Sequence, residues 1–92
     1  VGAVDMIKVE RKNEEEFAVT VEEGGSRTRH VVTVDEGYYE KLTQKRITKE
    51  ELIKRSFEFL LKRESKESIL SRFNLKVIKR YFPEYEGKVK LN

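Results

Sequence analysis

Six cations in the last third of the chain, Arg72, Lys76, Lys79, Arg80, Lys88 and Lys90, are the residues whose type and spacing best suit a defined chemistry. On a helical wheel with Leu75 at zero, Lys79, Lys76 and Arg80 fall at about 40° to 140°, and Val77, Ile78, Tyr81 and Phe82 at about 200° to 340°. No acid interrupts the cationic arc. Cations projecting from one helix neutralise phosphates and release counterions, which is the origin of sequence-independent affinity for nucleic acid and other polyanions. The run Tyr81-Phe82-Pro83-Glu84-Tyr85 adds rings for base stacking wherever Tyr81 or Tyr85 is exposed. The competing reading is the solvated outer face of an amphipathic helix, the commoner origin of a Lys-rich stripe.

Other chemistries lack parts. His30 is the only histidine, so a triad, a histidine dyad or a two-histidine zinc site is incomplete. It falls on the inward side of a strand, where a partly buried histidine with a hydrogen-bond partner is the expected role. Glu14-Glu15-Glu16 and Glu22-Glu23 lie in turns, where water keeps carboxylates ordinary; acid/base work needs one member desolvated or crowded. Gly24-Gly25 sits between two strands, not between a strand and a helix, so it reads as a hairpin and not a phosphate loop. The chain has no cysteine, which removes disulfides, thiolate metal sites and cysteine nucleophiles. These absences point away from an enzyme and imply no cofactor, metal or small-molecule substrate.

The 92 residues suit a single domain able to bury a core without staples. No apolar run approaches the roughly 20 residues of a membrane span, and no signal-peptide pattern opens the chain. With the cysteine count, this gives a cytoplasmic expectation. Charged residues reach 40%, the kind of balance seen in thermophile proteins with surface ion-pair networks. The net charge of +3 is uneven: residues 1–60 carry 11 Lys/Arg against 13 Asp/Glu, and residues 61–92 carry 9 against 4.

The elements that must position these residues follow from periodicity. Ile7 and Val9, then Phe17, Val19 and Val21, then His30, Val32 and Val34 alternate with polar neighbours, the mark of half-buried strands. The predicted fold is α+β. A three-stranded antiparallel meander (about residues 6–12, 16–23 and 28–34) precedes three or four helices (about 36–43, 49–63, 66–72 and 75–82). Asp35 caps the first helix. Thr48 and Glu51 form a capping box for the second, whose apolar residues cover about 200° and mark it as central. Asn74 caps the last, and Pro83 stops it. Residues 6–86 form the domain, residues 1–5 are an expression remnant or an upstream start, and residues 87–92 a flexible tail.

Two resemblances are carried by longer stretches. The segments at 56–64 (SFEFLLKRE), 67–73 (ESILSRF) and 80–86 (RYFPEYE) resemble a group of small uncharacterised prokaryotic proteins across residues 6–86. That likeness implies a single domain and supplies no site. Val32-Thr33-Val34-Asp35, a helix with Leu42, and the run from Thr48 to Arg55 resemble the ribbon-helix-helix DNA-binding family. There a dimeric strand pair enters the major groove, which implies Arg29, Val31 and Thr33 as reading positions. This chain departs from that pattern in a first helix about one turn short and in a strand that is the third of a meander.

The resulting expectation is a binding module for nucleic acid or another polyanion, using Arg72, Lys76, Lys79 and Arg80 with help from Lys88 and Lys90. The alternative is a protein-interaction module, a homodimer or an accessory subunit, whose association changes little with salt. A small enzyme would require a pocket of perturbed carboxylates around His30.

Overall fold

The computed structural model describes residues 4–90. Its first third is the antiparallel meander that the alternation predicts, with β1 (Met6–Arg11), β2 (Glu16–Glu23) and β3 (Ser26–Thr33). Register sets Ile7 against Val21, Val9 against Val19 and Val19 against His30, so the period-two residues of all three strands share one face. On that face Phe17, Val19, Val21 and Val32 are completely buried. Gly24 and Gly25 join β2 to β3 with φ of 58° and 83°. A two-residue turn with positive φ at both positions suits the twist of paired strands, and glycine adopts it at no steric cost. Asn13 organises the first turn, its Oδ1 accepting from the amides of Glu15 and Glu16 at 3.0 Å each.

Two helices follow, α1 (Glu36–Thr43) and α2 (Lys49–Leu61). Thr48 Oγ1 accepts from the Glu51 amide at 3.1 Å, which is half of the predicted capping box. The Glu51 carboxylate turns instead to Arg55, 3.7 Å away. Asp35 holds the N-cap position of α1, but its side chain makes no cap bond; it is engaged by Lys76. Leu52, Ile53, Ser56, Phe57, Phe59 and Leu60 of α2 are all buried, as the wide apolar arc requires. Phe57 meets the sheet side, with ring centroids 5.3 Å from His30 and 6.0 Å from Phe73. Phe59 meets the C-terminal side, 5.4 Å from Tyr85 and 6.0 Å from Phe82. Each such side chain, fully buried, contributes about 1.5–3 kcal/mol.

Three expectations are corrected beyond α2. The sheet has four strands, not three. In place of a helix over 66–72 the chain makes a 3₁₀ turn at Lys66–Ser68 and then extends into β4 (Arg72–Asn74), which pairs parallel with β3. The open edge of β3 offers backbone partners that a short helix would leave unused, and Phe73 and Leu75 then bury with strand spacing. The helix expected over 75–82 is a 3₁₀ turn, Leu75–Val77, and a single turn α3 (Ile78–Tyr81), ended before Pro83 as predicted. Asn74 caps the 3₁₀ turn, accepting from the Lys76 amide at 3.0 Å.

The third correction concerns the expected tail. Residues 87–89 belong to α4 (Tyr85–Val89), whose Tyr85 and Val89 are buried. Two apolar residues four apart make one face of a turn, and their charged neighbours concealed it. Residues 91 and 92 lie outside the described residues, as do residues 1–3 of the stretch set apart at the start. Asp5 of that stretch joins the sheet, its amide donating to the Glu22 carbonyl at 2.9 Å and its carboxylate accepting from the Gly24 amide at 3.0 Å.

Tyr85 anchors α4. Its hydroxyl donates to Ser56 Oγ at 2.6 Å, and Ser56 donates onward to the Leu52 carbonyl at 2.8 Å. Burial raises the Tyr85 pKa, so the phenol stays protonated. Tyr85→Phe should cost about 1 kcal/mol, the net worth of one hydrogen bond. Tyr85→Ala should cost about 3–5 kcal/mol by opening a cavity against Phe59. Urea unfolding of both variants checks the order; equal losses would show that the ring does not carry the anchorage.

Candidate functional site

The six cations highlighted by the sequence stand on four different segments. Arg72 lies on β4, Lys76 in the 3₁₀ turn, Lys79 and Arg80 on α3, and Lys88 on α4, with Lys90 just beyond. Acids from elsewhere in the chain hold three of them. Arg72 Nη1 is 3.2 Å from Glu16 Oε2, Lys76 Nζ contacts the Asp35 carboxylate, and Lys79 Nζ is 3.5 Å from Glu86 Oε2. Lys79 also sits 5.8 Å over the Tyr38 ring, and Tyr38 donates to Glu86 Oε2 at 2.8 Å.

These contacts hold the acids ionised. Asp35 is lowered from its ordinary pKa chiefly by its bond from Lys76, and Glu86 chiefly by the Tyr38 hydroxyl with Lys41 and Lys79 adding to it. Glu16 is lowered first by Asn13 and then by Arg72. The acid-free stripe of the sequence is thus interleaved with carboxylates in space, which weakens the potential it projects. Arg80 and Lys90 have no partner among the described residues, and Lys88 faces Glu84. Of the two rings considered for stacking, Tyr81 is exposed and Tyr85 is buried.

An apolar recess of about 180 Å³ opens where the end of α2 meets the segment from Ile69 to Phe82. Leu60 and Glu64 form one wall, Ile69, Leu70 and Phe73 another, and Val77, Ile78, Tyr81 and Phe82 a third. Leu70 is 48% exposed and Tyr81 67%, although both line it. Glu64 is the one charged lining residue. Its carboxylate has no ion pair or hydrogen bond among the described residues, and burial raises its pKa. The recess is smaller than the roughly 300–1,000 Å³ of small-molecule sites and matches a single side chain. Sequence reading missed it because a helix over 66–72 would have turned Leu70 inward beside Ile69 and Phe73. The exposure of Leu70 arises only from the extended backbone.

A second, open groove of about 520 Å³ lies between α2 and α4. Arg55, Lys62, Arg63 and Lys88 line it, with Glu51 and Glu58 among them. Arg63 is fixed there by Glu84 at 3.1 Å, by the Phe59 carbonyl at 3.0 Å and by the Phe59 ring, 3.6 Å below its guanidinium. Lys88 therefore joins the polar strip of α2.

His30 is buried and hydrogen-bonded, as expected, and lines neither cavity. Its Nδ1–H donates to the Leu70 carbonyl at 2.8 Å, a pairing that leaves Nε2 to accept from Thr28 Oγ1 at 2.9 Å. With the Val31 amide donating to the Ser71 carbonyl at 2.8 Å, it ties the approach to β4 onto β3. Among the described residues no cluster of three or more His, Asp or Glu is placed to hold a metal ion, and no helix is long and apolar enough to cross a membrane. Comparison of the chain with protein-family models, with curated proteins and with solved structures gives no match.

Burial depresses the His30 pKa below its ordinary 6.5, outweighing the opposing pull of the Leu70 carbonyl. As pH falls, the unfolded chain therefore takes up this proton before the folded one. The stabilisation is complete above about pH 6.5 and is lost as pH falls through the depressed value, with a slope of at most about 1.4 kcal/mol per pH unit. Unfolding free energies measured between about pH 8 and pH 5 should show that decline. In His30→Gln the protein should be less stable at neutral pH but flat over the same range; a slope that survives the substitution assigns the effect elsewhere.

Proposed function

We propose that this protein is a docking module whose recess between α2 and α3 receives an apolar side chain of a partner protein, carried next to a cation. The observation that carries this reading is an unpaired carboxylate, Glu64, in the wall of an apolar recess flanked by exposed Leu70 and Tyr81. Single exposed leucines and tyrosines are ordinary. A concave group of them around a partly desolvated carboxylate with no ion pair is the pattern of a binding surface. A Lys or Arg set beside Glu64 would form a charge-assisted hydrogen bond, the stronger kind, while its neighbour filled the recess. The small volume favours a side chain over a free metabolite.

A second reading, polyanion binding, is favoured by the groove between α2 and α4, where Lys62 and Lys88 stand free of ion pairs within 4 Å. In this form the polyanion is nucleic acid held by Lys62, Arg63, Lys88 and Lys90. Arg72, Lys76 and Lys79 take part only by exchanging Glu16, Asp35 and Glu86 for phosphates.

Isotope-labelled protein titrated with two synthetic peptides, a phenylalanine flanked by arginines and the same residue flanked by glutamates, separates the readings by NMR. The arginine peptide should shift the amides of Leu70, Phe73 and Tyr81, and the glutamate peptide should not. Leu70→Glu should weaken the interaction at least about tenfold, or about 1.4 kcal/mol, with the fold intact. If neither peptide shifts these residues, docking at the recess is rejected. Duplex DNA or single-stranded RNA that binds steeply with salt between about 50 and 200 mM, and is released by Lys62→Glu with Lys88→Glu, would establish the polyanion reading instead.

A further inference from the structure

We infer that the occupant of the recess is a second copy of this chain, paired about a twofold axis so that each copy lends Tyr81 to the other's recess. The inference rests on the docking reading above. What the recess lacks is an apolar side chain beside a free cation, and the chain displays that pair in Arg80 and Tyr81. Lys76 and Lys79, the two cations that precede Arg80 on the same stretch, are held by Asp35 and Glu86. Arg80 alone of the three has no acid among the described residues, and the sole charge lining the recess is an acid without a base.

Geometry fits as well as charge. A twofold interface uses one patch twice, so the projecting group and the hollow that takes it must lie on the same surface. Tyr81 meets that condition, since it forms part of the recess wall and still leaves 67% of its surface to solvent. Arg80 follows Val77 by three residues, which sets it beside the Val77–Tyr81 rim of the recess. Around the axis, Glu64 of each copy faces Arg80 of the other, and Leu70 adds apolar contact on the opposite wall. Tyrosine and arginine are also the residue types that most often dominate interface energies.

Sedimentation equilibrium of the full chain from about 10 μM to about 1 mM tests this directly. The protein should dimerise, and Glu64→Arg and Arg80→Glu should each weaken the dimer at least about tenfold. The double variant, with the charges exchanged, should regain dimerisation to within about threefold, an outcome that a merely disturbed fold cannot produce. A monomer throughout the range overturns the inference, as does a dimer indifferent to both single changes. If the chain stays monomeric while the arginine peptide still shifts Leu70 and Tyr81, docking stands and the second copy is excluded. If both experiments fail, both readings fall together.

Discussion

The constraint on which this fold depends is the width of the apolar arc on α2. A helix packed on one sheet needs a stripe of about 100°. This one buries Leu52, Ile53, Phe57, Phe59 and Leu60, which cannot all face the same neighbour. The sheet satisfies Phe57 through His30 and Phe73. Phe59 and Leu60 would meet water unless the chain returned on the other side. Phe82, Tyr85 and Val89 are that return, and Tyr85 reaches far enough to bond Ser56 on the helix itself. The C-terminal segment is therefore a second layer of the core and not an appendage. Its short, irregular elements follow from having to cross from the β4 edge to the far side of α2 in few residues.

That crossing also explains the electrostatics. Arg72, Lys76 and Lys79 come from the most basic part of the chain, and the path carries them past acids of β2, of the α1 cap and of α4. Each pair lies at the surface and contributes little on its own, because water and salt screen it. Their joint effect is to orient the crossing segment and to spend most of its positive charge internally. Lys66 behaves in the same way at the start of the segment, buried between Glu67 at 2.7 Å and Glu23 at 3.7 Å. The uneven charge of the two parts of the sequence is thus partly an attraction between them.

The legible parts of the sequence were those fixed by local physics. Alternation gave the three strands of the meander and their inward residues, the glycine pair gave its turn, and Thr48 with a broad arc gave α2 as the centre. Residues 66–89 were not legible in the same way. Ile69, Leu70 and Phe73 have helical spacing, yet an open strand edge beside them won the backbone hydrogen bonds. Competition between a local preference and a distant partner leaves no trace in a window of a dozen residues. The same reason hides the ion pairs: nothing near Lys76 in sequence announces Asp35. The cationic stripe was a correct reading of the wheel for a helix that the tertiary structure divides.

Polar groups elsewhere in the interior are consistently provided for. His30 has both ring nitrogens engaged, Thr43 donates to the Tyr39 carbonyl at 2.8 Å, Tyr39 donates to the Ile47 carbonyl, and Tyr38 and Tyr85 each have an oxygen partner. Among the described residues no buried side-chain nitrogen or oxygen is left without one. Glu64 differs from these groups in being only partly buried, and its carboxylate has no ion pair or hydrogen bond among the described residues. It is partly desolvated, which raises its pKa, and no Lys or Arg among the described residues pairs with it. A fold that supplies partners this thoroughly for its interior leaves one carboxylate in an apolar wall without any. On the docking reading, the partner that completes it brings an apolar surface and a positive charge together, because either alone would leave half of the recess unsatisfied.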